Sequence, residues 1–280
     1  RSWFVLLKKQ VRQALEAQFD RLGIRQLPDT EIVRLCRDGG AVTGAAAIHR
    51  GRLIHIRCGG VVLASGGLGP LFRYRCGNEG VSVMGQALAL DAGAELANLE
   101  FIQMIPGFIH PCFRTLCNER AFRFSRFFDY GTGAPLMAPG EGVDWERALD
   151  ERSTHGPFTT RLYSRHVDIR LFEAFRRSGQ GVRMRYDEAI KTYPSEFSGH
   201  YFRWLREEKG LGFDDEVIVG NFYHASNGGI RTDTSAFTGV PGLYACGEAA
   251  TGMHGADRIG GMSLANGLVF GSAAGRAAAD

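Results

Sequence analysis

The spacing of apolar side chains along the first sixty residues predicts one helix followed by an antiparallel meander. Apolar residues recur at helical intervals over residues 3–22, which indicates a helix. Residues 31–36, 41–49 and 52–58 are then strand candidates, with Asp38-Gly39-Gly40 as the first turn. We expect these three segments to pair as an antiparallel sheet.

Two later regions combine a buried strand, a glycine-rich loop and a helix. Residues 60–65 form a continuous apolar run, typical of a strand buried on both faces, and end in a glycine loop. A helix rich in small residues is predicted over residues 80–94. Near the C-terminus, residues 243–246 form a short apolar strand, and a helix opens at Ser263 and runs to residue 274. The free N–H groups at its start could meet an anion or an electron-rich ring edge.

The middle of the chain has a different character. From about residue 104 aromatic and arginine residues become dense, and helical patterns follow over residues 167–177 and 201–209. The glycine-punctuated apolar pattern returns near residue 220. The middle is therefore predicted to be an insertion, with residues 1–103 and 220–280 forming one discontinuous domain and residues 104–219 forming a second.

Composition and charge exclude several classes of function. The 280 residues carry a net charge of +3, which gives no electrostatic basis for nucleic-acid binding. Arginines are interleaved with aromatics over residues 122–128, as in a single-stranded nucleic-acid platform, but we interpret the segment as an amphipathic, partly solvated strand pair. The longest apolar runs, such as residues 61–64, are too short to span a bilayer.

The cysteines indicate a reducing compartment. None of the six forms a Cys-x-x-Cys pair, so we interpret them as free thiols in a cytoplasmic protein. Cys112 and Cys117 have no accompanying second ligand pair, and no metal site is predicted.

Four ordered segments then carry a resemblance to a known family. They are Val62-Leu-Ala-Ser-Gly-Gly-Leu-Gly, the stretch over residues 79–103, His224-Ala-Ser-Asn-Gly-Gly-Ile-Arg-Thr-Asp, and the run over residues 240–275. Together they cover roughly residues 28–103 and 220–280, and the last matches nearly end to end. The chain resembles the flavoprotein subunit family of succinate dehydrogenase, fumarate reductase and L-aspartate oxidase.

The resemblance implies a fold and a cofactor. The expected architecture is α/β, a Rossmann-like FAD-binding domain interrupted by an α+β capping domain that holds substrate against the flavin. The implied FAD contacts come from two loops and a helix start: Ser65, Gly66, Gly67, Gly247, Glu248, Ser263 and Leu264. Glycines suit these positions because a backbone without a Cβ can approach the cofactor closely.

The resemblance also implies a reaction. It is hydride transfer between flavin N5 and a small molecule that bears a carboxylate or carbonyl. His224 and Arg258 occupy the family's substrate-binding positions, and Arg161 or Arg165 from the cap would deliver or take the proton. Electrons would pass to or from a redox partner subunit, such as an iron–sulfur protein, or a soluble donor. Such a subunit could hold the protein at a membrane periphery.

Several positions depart from the family pattern. The N-terminal Gly-x-Gly-x-x-Gly loop is absent, so we expect an incomplete domain. Ile105 stands where the family has a carboxylate-binding histidine, Thr160 where it has the proton-donating arginine, and Met84 where it has an aspartate facing FAD. Ile105 favours a substrate with an apolar part over a plain C4 dicarboxylate. The alternatives are a non-catalytic flavin-binding or assembly subunit, and an amino-acid oxidase or ketosteroid-type dehydrogenase on the same scaffold.

Overall fold

A computed structural model describes residues 8–76, 81–140, 142–192 and 196–280 as a mixed helix and sheet fold. The α-helices within these ranges are α1 (Lys8–Arg21), α2 (Met84–Asp91), α3 (Trp145–Arg152), α4 (Arg165–Ser178), α5 (Glu196–Lys209) and α6 (Met262–Ala279). The strands are β1 (Thr30–Asp38), β2 (Ala41–His49), β3 (Arg52–Arg57), β4 (Val61–Leu63), β5 (Leu96–Ala97), β6 (Ile102–His110), β7 (Thr115–Leu116), β8 (Ser125–Asp129), β9 (Val182–Tyr186), β10 (Val217–Ser226), β11 (Gly229–Arg231), β12 (Leu243–Ala245) and β13 (Ala250–Thr251).

The predicted helices and the N-terminal meander are confirmed, with shifted ends. Strands β1, β2 and β3 pair antiparallel in that order. Residues 3–7 of the first predicted helix and residue 80 of the second lie outside the described residues. In the part of the chain that is described, no helix combines the length and apolarity required to cross a membrane.

The strand that precedes the first glycine loop differs from its prediction. Strand β4 pairs in parallel with β12, Val61 opposite Leu243. Leu63 is buried, but Val62 is 37% exposed, so the prediction of a strand buried on both faces is wrong. Successive side chains of a strand point to opposite faces, and here only the face that carries Leu63 lies against a core.

The middle of the chain is organised around a five-stranded antiparallel sheet of order β7-β6-β10-β9-β8. The segment predicted as a strand pair over residues 122–128 is instead a 3-10 helix, Glu119–Phe124, followed by strand β8. Asn118 explains the correction, because its side chain accepts a hydrogen bond from the Arg120 N–H and starts a helical turn. Phe122 and Phe127 are both buried, so these aromatics belong to the core.

Apolar side chains form two large clusters. One lies wholly between residues 108 and 219 and includes Phe108, Leu171 and Met184. The other joins residues 32–96 to residues 230–250 and includes Val42 and Leu243. Separate clusters are what the predicted domain division requires, although the boundaries at residues 103 and 220 stay predictions.

Candidate active site

Arg258 and His224, distant in sequence, meet in the structure around Gln103. Arg258 Nε donates to Gln103 Oε1 at 3.0 Å, and Gln103 Nε2 donates back to the Arg258 carbonyl at 3.2 Å. Arg258 Nη2 lies 3.1 Å from His224 Nε2. Gln103 is 2% exposed and Arg258 9% exposed. The guanidinium is therefore held through Nε and Nη2, and its Nη1 has no hydrogen-bond partner among the described residues.

The charge state of His224 follows from these contacts. Burial, and after it the positive charge of Arg258, lower the pKa of His224 from 6.5 to about 4. The ring is therefore neutral at physiological pH. A guanidinium can only donate, so Nε2 accepts and the proton of the neutral ring is on Nδ1. The pair presents an Nδ1–H and a cationic guanidinium, both of them hydrogen-bond donors.

A β-bulge places His224 at this site. In the ladder between β10 and β6, Tyr223 faces Met104 and Ala225 faces Gln103, so His224 is the extra residue between two consecutive pairs. A bulge changes the direction of the extra side chain and is common beside active sites. The bulge is a feature of strand pairing, and the sequence carries no direct signal for it.

Gln103 is a site residue for which the sequence assigned no role. The signal was a glutamine in the apolar strand Ile102-Gln-Met-Ile-Pro, where a buried amide needs partners. Ile105 is two residues further along β6 and 7% exposed. Alternation along a strand puts it on the same face as Gln103. An apolar side chain thus lies on the strand face that carries the partner of Arg258.

The loop over residues 159–161 contacts the residue next to Arg258, which is Asp257. Asp257 Oδ2 accepts from Arg161 Nε at 2.7 Å and from the Thr159 hydroxyl. Arg161 therefore contacts the sequence neighbour of Arg258, although the Arg161 side chain is 60% exposed. Arg165 is placed differently: its exposed side chain donates to the Thr160 carbonyl at 3.3 Å. Of these two predicted arginines, Arg161 is the one that forms an ion pair with the loop that carries Arg258 in the part of the chain that the structure describes.

The predicted cofactor loop over residues 65–67 packs on the start of α2. Gln86 Nε2 donates to the Gly66 carbonyl at 2.7 Å, and Gly66 has a φ of +85°, a conformation that favours glycine. The Ser65 hydroxyl is buried with no hydrogen-bond partner among the described residues, and it lies against Gly85 so closely that a Cβ there would collide with it. The loop therefore holds an unused polar group at the end of strand β4.

Glu248 is tied to this loop through Tyr223. Glu248 Oε1 accepts from the Tyr223 hydroxyl at 2.9 Å and from the Ser226 N–H at 3.0 Å. The Leu68 N–H donates to the Tyr223 oxygen at 3.0 Å. Gly67 is required here, because a Cβ would collide with the Glu248 carboxylate. Tyr223 is a second site residue that the sequence interpretation missed.

The start of α6 is an exposed platform. Gly261, the N-cap residue, has a φ of +86°, and no side chain caps the helix. Ser263 and Leu264 are exposed in its first turn. Asn266, one turn further on, is buried and donates to His254 Nε2 at 3.2 Å. The Met262 N–H already donates to the Ile259 carbonyl at 3.2 Å. The N–H groups of Ser263 and Leu264 lack intrahelical partners, and they are the donors on which the predicted contact with an electron-rich group depends.

Comparison with known proteins gives consistent similarities. The family profile described as "FAD binding domain" matches residues 6–128 and 185–264. L-aspartate oxidase from Streptomyces coelicolor is 30% identical over 273 residues, which cover 93% of this chain and 45% of that protein. The fumarate reductase flavoprotein subunit of Escherichia coli is 26% identical over 309 residues, covering 100% of this chain and 48% of the subunit.

A solved structure agrees with these matches. Mycobacterium smegmatis Sdh1 in complex with UQ1 aligns with a TM-score of 0.73 at 29% identity, covering 96% of this chain and 45% of that chain. The chain thus spans about half the length of the relatives it matches.

Proposed function

Because this chain belongs to the FAD-binding domain family that includes L-aspartate oxidase and the fumarate reductase and succinate dehydrogenase flavoproteins, we propose that it forms the flavin- and substrate-contacting part of a FAD-dependent oxidoreductase. Residues 1–103 and 220–280 would make up the Rossmann-like FAD-binding part. Residues 104–219 would form the cap. The separate apolar clusters support this division.

The residues present suit FAD. The buried hydroxyl of Ser65 has no hydrogen-bond partner among the described residues, and a hydroxyl group of the cofactor would satisfy it. Glu248 keeps Oε2 available after Oε1 is used. Gly247, with a φ of +66° and open space around it, and the free N–H groups at the start of α6 complete a surface that mixes polar and apolar groups. Bound FAD supplies a two-electron carrier that exchanges a hydride with substrate.

The Arg258–His224 pair is the observation that carries the substrate assignment. It combines a buried guanidinium, which Gln103 holds in place, with a neutral imidazole whose Nε2 lies 3.1 Å from Nη2 of that guanidinium. A carboxylate or carbonyl oxygen is the group that such a donor pair binds and polarises. Since His224 is neutral, it acts as a hydrogen-bond donor that orients and polarises the substrate, while Arg258 supplies the charge.

The substrate and the proton path follow from two neighbours of this pair. Ile105, on the Gln103 face of β6, favours a substrate with an apolar part beyond the bound carboxylate. Arg161 is the better candidate for the proton-transferring cap arginine, because Asp257 holds it beside the Arg258 loop. Arg165, which bonds the Thr160 carbonyl, is the second candidate. Electrons would be exchanged with a redox partner subunit or a soluble donor.

The first test is an absorption spectrum of the purified full-length protein, followed by turnover assays. Flavin bands are expected, together with activity toward a small carboxylate in a screen that includes fumarate, succinate and L-aspartate. Each is assayed with and without oxygen, because an oxidase uses oxygen and a partner-linked reductase needs an artificial electron donor or acceptor. Failure to bind added FAD would refute the assignment.

Arginine variants test the substrate site. Arg258→Gln should lower kcat/KM by about a hundredfold or more while flavin remains bound, since a charged anchor is lost. Arg231→Gln is the matched control, because Arg231 forms an exposed ion pair with Glu95 at 2.6 Å and should tolerate the change. Bound flavin with no turnover of any substrate would favour the alternative, a non-catalytic flavin-binding or assembly subunit.

A further inference from the structure

We propose that Tyr223 is a positioning residue that joins the flavin-facing loop to Glu248 and to the strand that carries His224. This inference rests on the proposed function, which assigns Glu248 and the loop over residues 65–67 to FAD. None of the sequence motifs pointed to this tyrosine.

The hydroxyl of Tyr223 bridges two segments. It donates to Glu248 Oε1 at 2.9 Å and accepts from the Leu68 N–H at 3.0 Å. A phenol can donate and accept at once, so one atom fixes both the carboxylate and the backbone that follows Gly67. The Ser226 N–H, at 3.0 Å, takes up another site on the same Oε1. Glu248 is left with Oε2 to direct outward.

Burial keeps water away from the hydrogen bonds of the Tyr223 hydroxyl. Tyr223 is 2% exposed, so water does not compete for its hydroxyl. Burial, and after it the charge of Glu248, raise the pKa of Tyr223, and the hydroxyl remains a proton donor. With the hydroxyl removed, the Leu68 N–H would be left without its partner in a buried position.

The chain that follows the loop packs around the same tyrosine. The Phe72 ring stacks on it at a centroid distance of 4.9 Å. The Tyr223 N–H donates to the Tyr74 carbonyl at 2.8 Å, and its carbonyl accepts from the Cys76 N–H at 2.9 Å. Residues 68–76 are thus anchored to one position of strand β10.

The next residue along that strand is His224, at the bulge opposite β6. One strand therefore carries the group that binds substrate and the group that sets the flavin-facing carboxylate. This arrangement fixes the position of His224 relative to Glu248. Hydride transfer requires substrate and flavin to be held at a short and constant distance.

The experiment compares two Tyr→Phe variants of the full-length protein. Tyr223→Phe keeps the ring and its stacking but loses the bridge. Tyr201→Phe is the matched control, because the half-buried Tyr201 hydroxyl donates to the Leu116 carbonyl at 2.7 Å in the cap. Each variant is titrated with FAD, its visible flavin spectrum is recorded, and amide hydrogen exchange is followed at Leu68 without FAD.

Tyr223→Phe is expected to weaken FAD binding about tenfold or more, to shift the flavin absorption bands and to speed exchange of the Leu68 amide at least tenfold. Tyr201→Phe should leave all three unchanged. If the unmodified protein binds no FAD, the proposed function fails. If it binds FAD and Tyr223→Phe matches it in affinity, spectrum and Leu68 exchange, the role of Tyr223 is overturned.

A second variant covers the case in which Tyr223→Phe does not fold. Glu248→Ala removes the acceptor from the other end of the bridge, so the tyrosine hydroxyl loses the group that orients it. Faster exchange at Leu68 would support the inference, and unchanged exchange would overturn it.

Discussion

Replacing Gln103 with leucine tests whether the buried amide holds Arg258, the arginine that we propose binds substrate. Leucine has a similar size but neither donates nor accepts. Gln103→Leu therefore removes both hydrogen bonds to Arg258, the one from Nε at 3.0 Å and the one to the carbonyl at 3.2 Å. The guanidinium keeps its contact with His224 and loses its other support.

The size of the expected loss in stability follows from the two hydrogen bonds that Gln103→Leu removes. A hydrogen bond from a charged donor contributes about 1.5–3 kcal/mol, and a neutral one about 0.5–1.5 kcal/mol. Both groups are buried, so water cannot replace the amide, and the apolar leucine offsets part of the loss. We expect unfolding free energy to fall by about 2–3 kcal/mol, and kcat/KM to fall roughly tenfold to a hundredfold because Arg258 is no longer pre-positioned.

The assay is urea unfolding together with steady-state kinetics on the flavin-loaded protein. Gln18→Leu is a matched control, because Gln18 Oε1 accepts from Arg21 Nε at the same 3.0 Å on an exposed helix. That variant should change stability by less than about 0.5 kcal/mol and leave turnover unchanged.

The two variants together decide the question. Equal stabilities and equal kcat/KM values for Gln103→Leu and Gln18→Leu would refute the reasoning that a buried amide orients Arg258. A stability loss without a kinetic loss would limit Gln103 to a structural role.

Further predictions concern protonation, a buried ion pair and the cap loop. Because the pKa of His224 is lowered to about 4, substrate binding should show no titration of His224 between pH 5.5 and 8. The unfolded chain binds a proton at His224 more readily than the folded protein does, so the free energy of unfolding should fall as the pH falls from 6.5 toward 4. An NMR titration of the His224 imidazole nitrogens with a midpoint near pH 6.5 would contradict this prediction. Asp168→Asn leaves its fully buried arginine partner, 2.8 Å away, unpaired, and should cost about 3–5 kcal/mol in urea unfolding. Asp187→Asn, in an exposed pair at 2.9 Å, should cost under about 1 kcal/mol, and equal losses would refute the burial argument. Asp257→Asn weakens the contacts with the loop over residues 159–161, so amide exchange at Arg161 should rise at least severalfold, whereas unchanged exchange would show that Asp257 does not hold the loop.

Local patterns predicted the elements well and their surroundings less well. The meander and the helices follow from periodicity, because each element's own sequence decides which face is apolar. The predictions that were wrong concern context. Val62 is exposed because Leu63 takes the core side of β4, and residues 119–124 form a 3-10 turn because Asn118 caps it. The pattern of apolar residues does not show which side of a strand meets the core, and it does not show that a side chain caps a helical turn.

The candidate site shows the same division. The family motifs by themselves indicated His224 and Arg258 as substrate ligands, and Glu248 and the glycine loop as cofactor contacts, since those residues stand within recognisable segments. The role of Gln103 depended on a partner 155 positions away.

The sequence by itself determined the elements, the family and the chemical types of the candidate residues, because these depend on side-chain identity and short-range spacing. The tertiary structure alone decided that Gln103 locks the arginine, that Tyr223 bridges Leu68 and Glu248, and that Asp257 pairs with Arg161. The physical reason is that these hydrogen bonds join segments which only the pairing of β6 with β10, and the return of the loop before α6, bring within 3 Å or so of each other.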